Sequence, residues 1–165
     1  MRKIGVLGGM GPEATILFQQ RLLKAVRAQD DQDHIPLLID MNPQVPSRLA
    51  YVLDQTVGAP DPGPVLGDMA KRLDRWGAEA LAMPCNTAHL FAEVIQRKTA
   101  LQFFNMVKLS VETALAKSKA GDVIGILASP ALRKTQLFER YFQASERTVI
   151  WPEDDTKMVQ AIRKI

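Results

Sequence analysis

The stretch Lys3-Ile4-Gly5-Val6-Leu7-Gly8-Gly9-Met10-Gly11-Pro12-Glu13-Ala14-Thr15 decides the fold class. Lys3 to Leu7 is a short apolar run, the pattern of a buried strand. Pro12 to Gln29 then carries Ala14, Leu17, Phe18, Leu22, Ala25 and Val26 at helical spacing. A strand that passes through glycines into a helix is the first unit of an α/β fold.

The alternation continues along the chain. Ile35 to Met41 reads as a second strand, with Pro36 at its start and Asp40 near its end, and Asn42 to Pro46 breaks the pattern. Gln55 to Asp68 holds three glycines and three prolines and reads as a loop, followed by a helix over Val65 to Trp76 that Gly77 stops. Ala78 to Met83 is a strand leading to Cys85, and Thr87 to Lys98 a helix. Val107 to Lys119, Leu132 to Ala144 and Asp154 to Ile165 read as further helices, with strands over Val123 to Ala128 and Thr148 to Trp151. Strands alternating with helices imply parallel sheets flanked by helices. Ile4-Gly5-Val6-Leu7-Gly8 is echoed by Ile124-Gly125-Ile126-Leu127-Ala128, which suggests two related lobes: residues 1–98 as a first α/β lobe carrying Cys85, and 99–165 as part of a second.

The bulk composition narrows the function. With 165 residues, 47% hydrophobic and 24% charged, the chain has ordinary globular composition. Its net charge of +3 comes from 21 basic and 18 acidic residues without a basic block, so nucleic acid is not expected as a partner. No run approaches the roughly 18 apolar residues of a membrane span, so no membrane partner is expected. One cysteine excludes an internal disulfide framework, and the first residues are too short an apolar segment for a signal peptide. A reduced, cytoplasmic protein is the expectation.

Two segments could carry chemistry. Gly9, Gly11 and Ala14 match the looser dinucleotide fingerprint, but Pro12 removes an N–H in the first turn and Asp40 lies beyond the about 20 residues expected for a ribose-binding acid. A plain tight turn fits as well, and a small-carboxylate site at a helix N-terminus is preferred to both. The second segment is Met83-Pro84-Cys85-Asn86-Thr87-Ala88-His89, where a strand end meets a helical pattern. A helix N-terminus carries about half a positive charge and favours a thiolate. Buried cysteine is the bland alternative. Asn86 and Thr87 bring amide and hydroxyl groups that either cap the helix or bind a ligand. His89 lies four residues on, either as a Cys-His partner or as a histidine bonded to a carbonyl or an aspartate. Arg48, in Val45-Pro46-Ser47-Arg48, could grip a carboxylate bidentately. His34 and Lys117-Ser118-Lys119 read as solvated turn residues.

Gly8 to Thr15, Val45 to Arg48 and Met83 to His89, in that order, resemble the cofactor-independent aspartate/glutamate racemase family. The resemblance implies two pseudo-symmetric α/β lobes with the active site between them. It implies Cys85 as one of two catalytic thiols flanking the substrate α-carbon, with Met10, Gly11, Thr15, Asn86 and Thr87 lining the amino-acid site and Arg48 binding a side-chain carboxylate. It implies no cofactor and no metal. The chain departs from the family pattern at Ser129-Pro130-Ala131-Leu132, and the family's second cysteine, in a segment beyond position 165, is absent, so the second lobe is expected to be incomplete.

The expected function is therefore a cofactor-independent racemase acting by cysteine-mediated α-proton abstraction. The alternatives are a single-cysteine dicarboxylate decarboxylase or isomerase on the same scaffold, or an inactive small-acid binding protein. The expected partners are a small amino acid or dicarboxylate and, through apolar residues around Leu101 to Val107, a second copy in a homodimer.

Overall fold

The computed structural model describes residues 1–53, 58–162 and 164. The expectations for Gln55 to Val57, Arg163 and Ile165 thus lie outside the described residues. Among the described residues no helix is long and apolar enough to cross a membrane.

Contacts divide the chain into two compact units, Met1–Pro46 with Pro60–Met106, and Ser47–Ala59 with Val107–Ile165. In the first unit, β1 (Ile4–Gly8), β2 (Leu37–Met41), β3 (Ala80–Ala82) and β4 (Gln102–Phe104) form one parallel sheet in the order β2-β1-β3-β4. Ile4 pairs with Leu37 on one side and Ala80 on the other, and Ala80 pairs with Gln102. The central strands are covered on both faces, so Val6, Leu7, Ala80 and Leu81 are fully buried. That is why these strands read as continuous apolar runs rather than alternating ones.

α1 (Pro12–Ala25) follows β1 and ends four residues earlier than its periodicity suggests. Val26 turns extended, and Asp33 then accepts the N–H groups of Gln29 and Asp30, which hold its carboxyl below the usual carboxylate range. α3 (Pro62–Arg75) supplies Leu66, Met69, Ala70 and Leu73, all fully buried, at the spacing of one helical face. It starts inside the segment expected to be a loop. Pro62 occupies the first helical position, where no N–H is needed, and the Asp61 carboxylate accepts the Gly63 N–H at 2.8 Å, so the prolines open the helix.

Within the apolar stretch around Leu101 to Val107, Gln102–Phe104 adds a strand that the sequence pattern does not show and completes the first sheet at its edge. After β3 comes a 3-10 turn, Thr87–Phe91, and then α4, only Ala92–Gln96, in place of one helix to Lys98.

The second unit contains α2 (Arg48–Leu53), which begins within the proline-broken stretch, most of α5 (Met106–Ala116), and two parallel strands, β5 (Val123–Gly125) and β6 (Thr148–Ile150). Between the strands the expected single helix is two, α6 (Pro130–Thr135) and α7 (Glu139–Phe142), because Gln136 adopts the left-handed region at φ 51°. α8 (Asp155–Ile162) follows β6. The units do not coincide with the 98/99 division read from the sequence. Strand pairing draws residues 102–104 into the first sheet, while α2 packs on α6, with Lys134 Nζ donating to the Val52 carbonyl at 3.0 Å.

Candidate active site

The strand order fixes where chemistry can sit in the first unit. The chain leaves β1 toward β2 on one side and β3 toward β4 on the other, so the loops after β1 and β3 part between two adjacent strand ends. Open α/β sheets bind ligands at that switch point. The two loops are Gly9 to Gly11 and Met83 to Asn86, the two segments singled out by sequence.

The first loop is held from within. The Thr15 hydroxyl accepts the Gly9 N–H at 3.0 Å and donates to the Gly11 carbonyl at 3.3 Å, and Thr15 is fully buried. Thr15 therefore acts through the loop it fixes, since both of its hydrogen-bonding directions are taken. Met10 is also buried, in the apolar cluster with Val45, Leu66 and Met83. Gly11, half-buried, precedes Pro12 at the first position of α1. Of this group the backbone around Gly11 and the first turn of α1 remain to meet a ligand, with N–H groups that have no intrahelical partner. Replacing Thr15 by valine keeps the volume and strands the buried Gly9 N–H. The expected cost is about 1–3 kcal/mol, read from urea unfolding, with recovery in Thr15→Ser.

Cys85 is half-buried at the rim of the same apolar cluster. Its N–H donates to the Met83 carbonyl at 2.9 Å, so the turn at Pro84 is closed and the thiol's starting point is fixed. The α-helical dipole expected at Cys85 is replaced by the 3-10 turn and the five-residue α4. Asn86 does not cap that turn: its backbone is already helical and no side-chain cap bond forms. Its Oδ1 is buried and has no hydrogen-bond partner. A buried amide oxygen without a partner costs free energy that a polar ligand would recover. Thr87, half-buried, begins the turn.

His89 resolves in favour of the carbonyl-bonded alternative. Its Nε2 lies 3.1 Å from the Met106 N–H, which can only donate, so Nε2 is the acceptor. Nδ1 must then carry the proton and donate to the Cys85 carbonyl at 2.8 Å. Both nitrogens are spent on backbone, and the ring stacks on Phe103 with centroids 5.3 Å apart. His89 thus clamps the Cys85 loop to the start of α5 and is no base for the thiol. Sequence spacing places it on the right turn; the Met106 contact, 17 residues away, leaves no local signal.

Burial lowers the pKa of His89 below 6.5, opposed in part by the carbonyls of Cys85 and Phe104. The unfolded chain therefore binds this proton more readily than the native one. His89 contributes stability that is complete above about pH 6.5 and is lost as pH falls through the lowered native value. The urea midpoint is expected to drop from pH 7.5 to pH 5.5, and the drop to shrink in His89→Gln. An equal drop in both proteins would contradict this assignment.

Asp40, the acid a dinucleotide site would need, is engaged elsewhere. Its Oδ2 accepts from Arg72 Nη2 at 2.7 Å and Nε at 3.0 Å, with only 12% of its side chain exposed. That turns the glycine loop away from dinucleotide binding. Arg48 is the first residue of α2 and belongs to the second unit.

Comparison with known proteins gives a consistent answer. A family model described as Asp/Glu/Hydantoin racemase matches residues 7–163. The chain is 24% identical over 169 residues to the broad specificity amino-acid racemase RacX of Bacillus subtilis, covering 98% of this chain and 71% of that protein. Its fold is similar to that of Picrophilus torridus aspartate racemase, with a TM-score of 0.87 at 23% identity over 99% of this chain and 67% of the other. It is also similar to an aspartate racemase homologue from Pyrococcus horikoshii, with a TM-score of 0.72 at 22% identity over 100% and 70% of the two chains.

Proposed function

The chain belongs to the Asp/Glu/hydantoin racemase family, and from that premise we propose that it acts on the α-carbon of a small amino acid of the aspartate/glutamate type, without a cofactor, through the thiol of Cys85. The observation that carries the reading is the unpartnered buried oxygen of Asn86 beside a half-buried thiol at the switch point of the sheet. A ligand polar group supplies what Asn86 lacks.

The chemistry follows from the residues. Cys85, as thiolate, takes the α-proton and becomes a thiol, leaving a carbanion whose charge spreads into the substrate carboxylate. Backbone N–H groups of the Gly11 loop and the first turn of α1, with the Thr87 hydroxyl, donate to that carboxylate and stabilise the developing charge, while the unpartnered Asn86 Oδ1 accepts from the substrate ammonium. Arg48 is the proposed partner of a side-chain carboxylate, on the family resemblance and the fork geometry of guanidinium.

Racemisation needs an acid on the opposite face of the α-carbon. The sequence holds one cysteine, so in this 165-residue chain the thiol returns a proton to the face it came from. The proposed outcome is exchange with solvent without inversion. Each enantiomer of aspartate and glutamate is incubated with the chain in heavy water and followed by NMR and chiral chromatography. Deuterium is expected at the α-carbon of one enantiomer with its mirror image absent. Formation of both enantiomers would overturn the single-thiol outcome, and no exchange in any of the four would overturn the racemase reading in favour of simple acid binding.

A further inference from the structure

The two hydrogen bonds of His89 hold different parts of the chain. Nδ1 donates to the Cys85 carbonyl at 2.8 Å, inside the motif at the switch point, and Nε2 accepts the Met106 N–H at 3.1 Å, where α5 begins. The ring is 3% exposed and stacked on Phe103, so it has little room to exchange these roles.

Backbone geometry says what the first of these bonds does. A residue has only two soft backbone dihedrals, φ and ψ, because each peptide group is planar. At Cys85 both flanking peptide planes are pinned. The Cys85 N–H donates to the Met83 carbonyl at 2.9 Å on one side, and the Cys85 carbonyl is held by His89 on the other. Among the described residues no backbone N–H reaches that carbonyl, so His89 alone fixes the second plane. With both planes set, the Cα–Cβ bond points in one direction and the thiol keeps only its χ1 rotamers. We propose that His89 is the positioning residue of the Cys85 thiol and acts through the Nδ1–H bond to the Cys85 carbonyl, whereas its bond to Met106 serves stability alone. Where turnover is concerned this rests on the reading of Cys85 as proton acceptor; the pose of the thiol does not. A displacement of about 1 Å at a reacting group costs on the order of 10²-fold in rate, so a freed ψ at Cys85 reaches the chemistry.

Two substitutions separate the bonds. In His89→Asn the side-chain amide takes the place of Nδ1 and donates to the Cys85 carbonyl, but it falls short of Met106. In His89→Gln the amide reaches the place of Nε2, where its oxygen accepts the Met106 N–H, and the Cys85 carbonyl loses its donor. Each variant loses one bond and the stack on Phe103, so the urea midpoint is expected to fall in both. The chain has one cysteine, so protein labelled with carbon-13 cysteine gives one carbonyl signal and one Cβ signal by NMR. His89→Asn is expected to keep the hydrogen-bonded carbonyl shift and a single narrow Cβ line. His89→Gln is expected to move the carbonyl signal upfield and to broaden or split the Cβ line. With an amino acid that exchanges its α-proton, kcat is expected to fall about tenfold or more in His89→Gln while KM stays within about twofold, and to remain within about threefold of native in His89→Asn. A single narrow Cβ line in His89→Gln would overturn the proposal, as would equal losses of kcat in the two variants. If His89→Gln does not fold, His89→Asn decides alone: a native-like carbonyl shift and narrow Cβ line support the proposal, and a broadened line overturns it. Absence of exchange in the native chain would refute the racemase reading and leave the two Cys85 signals to decide the positioning.

Discussion

Cys85→Ser is expected to slow deuterium incorporation at the substrate α-carbon by about 10²–10⁴-fold, the usual contribution of a positioned acid–base group. An alcohol ionises far less readily than a thiol, so the variant lacks an anion to take the proton. The substitution is nearly isosteric, and the structure offers no reason for it to disturb folding. Cys85 is held through its backbone, by Met83 and His89, and its half-buried side chain only borders the apolar cluster. Exchange at the native rate in the serine protein would remove Cys85 from the chemistry. The urea midpoint measured on the same preparation separates lost catalysis from lost structure.

Gly9→Ala is expected to destabilise the protein by at least about 3 kcal/mol. Gly9 has φ 89°, and a Cβ built on it would lie 2.5 Å from the Asn42 carbonyl carbon, 2.6 Å from its nitrogen and 2.7 Å from its oxygen. These are backbone atoms, and the Asn42 N–H is itself bonded to the Gly8 carbonyl at 3.2 Å. The chain following β2 cannot retreat without opening the end of the β1–β2 ladder. Gly77 gives the control: its φ is 90°, with nothing within 4 Å of a built Cβ. Gly77→Ala carries only the left-handed strain, about 1 kcal/mol. Urea unfolding of the two variants is expected to separate them clearly, and equal midpoints would show that the approach of Asn42 is not what demands glycine. Exchange is also expected to fall in the folded fraction of Gly9→Ala, since this loop forms one wall of the site.

The same residues show what local sequence carries. The β1–α1 unit was legible because an apolar run, a glycine turn and a helical period follow each other within about 25 residues. Cys85 was legible as a strand-end residue for the same reason. α3 was read three residues late because its opening turn is Pro62-Gly63-Pro64, a composition that signals a loop unless the Asp61 cap is recognised. β4 has three residues and is defined by pairing with β3, which no pattern within it announces. The break between α6 and α7 rests on one left-handed glutamine. At the site, the family resemblance pointed to Thr15 and spacing left His89 open between a thiol partner and a carbonyl-bonded histidine, because the role of each depends on partners: Thr15 on Gly9 and Gly11, His89 on Met106. Both support the loops around the thiol.

The central claim is that an acidic amino acid binds against the thiol of Cys85. Because the chain has one cysteine, the rate of its alkylation by iodoacetamide, followed by intact mass, reports that site alone. The account expects the amino acid that undergoes solvent exchange to slow the reaction in proportion to its occupancy, with alkylated protein losing exchange. An unchanged alkylation rate at saturating amino acid would contradict it.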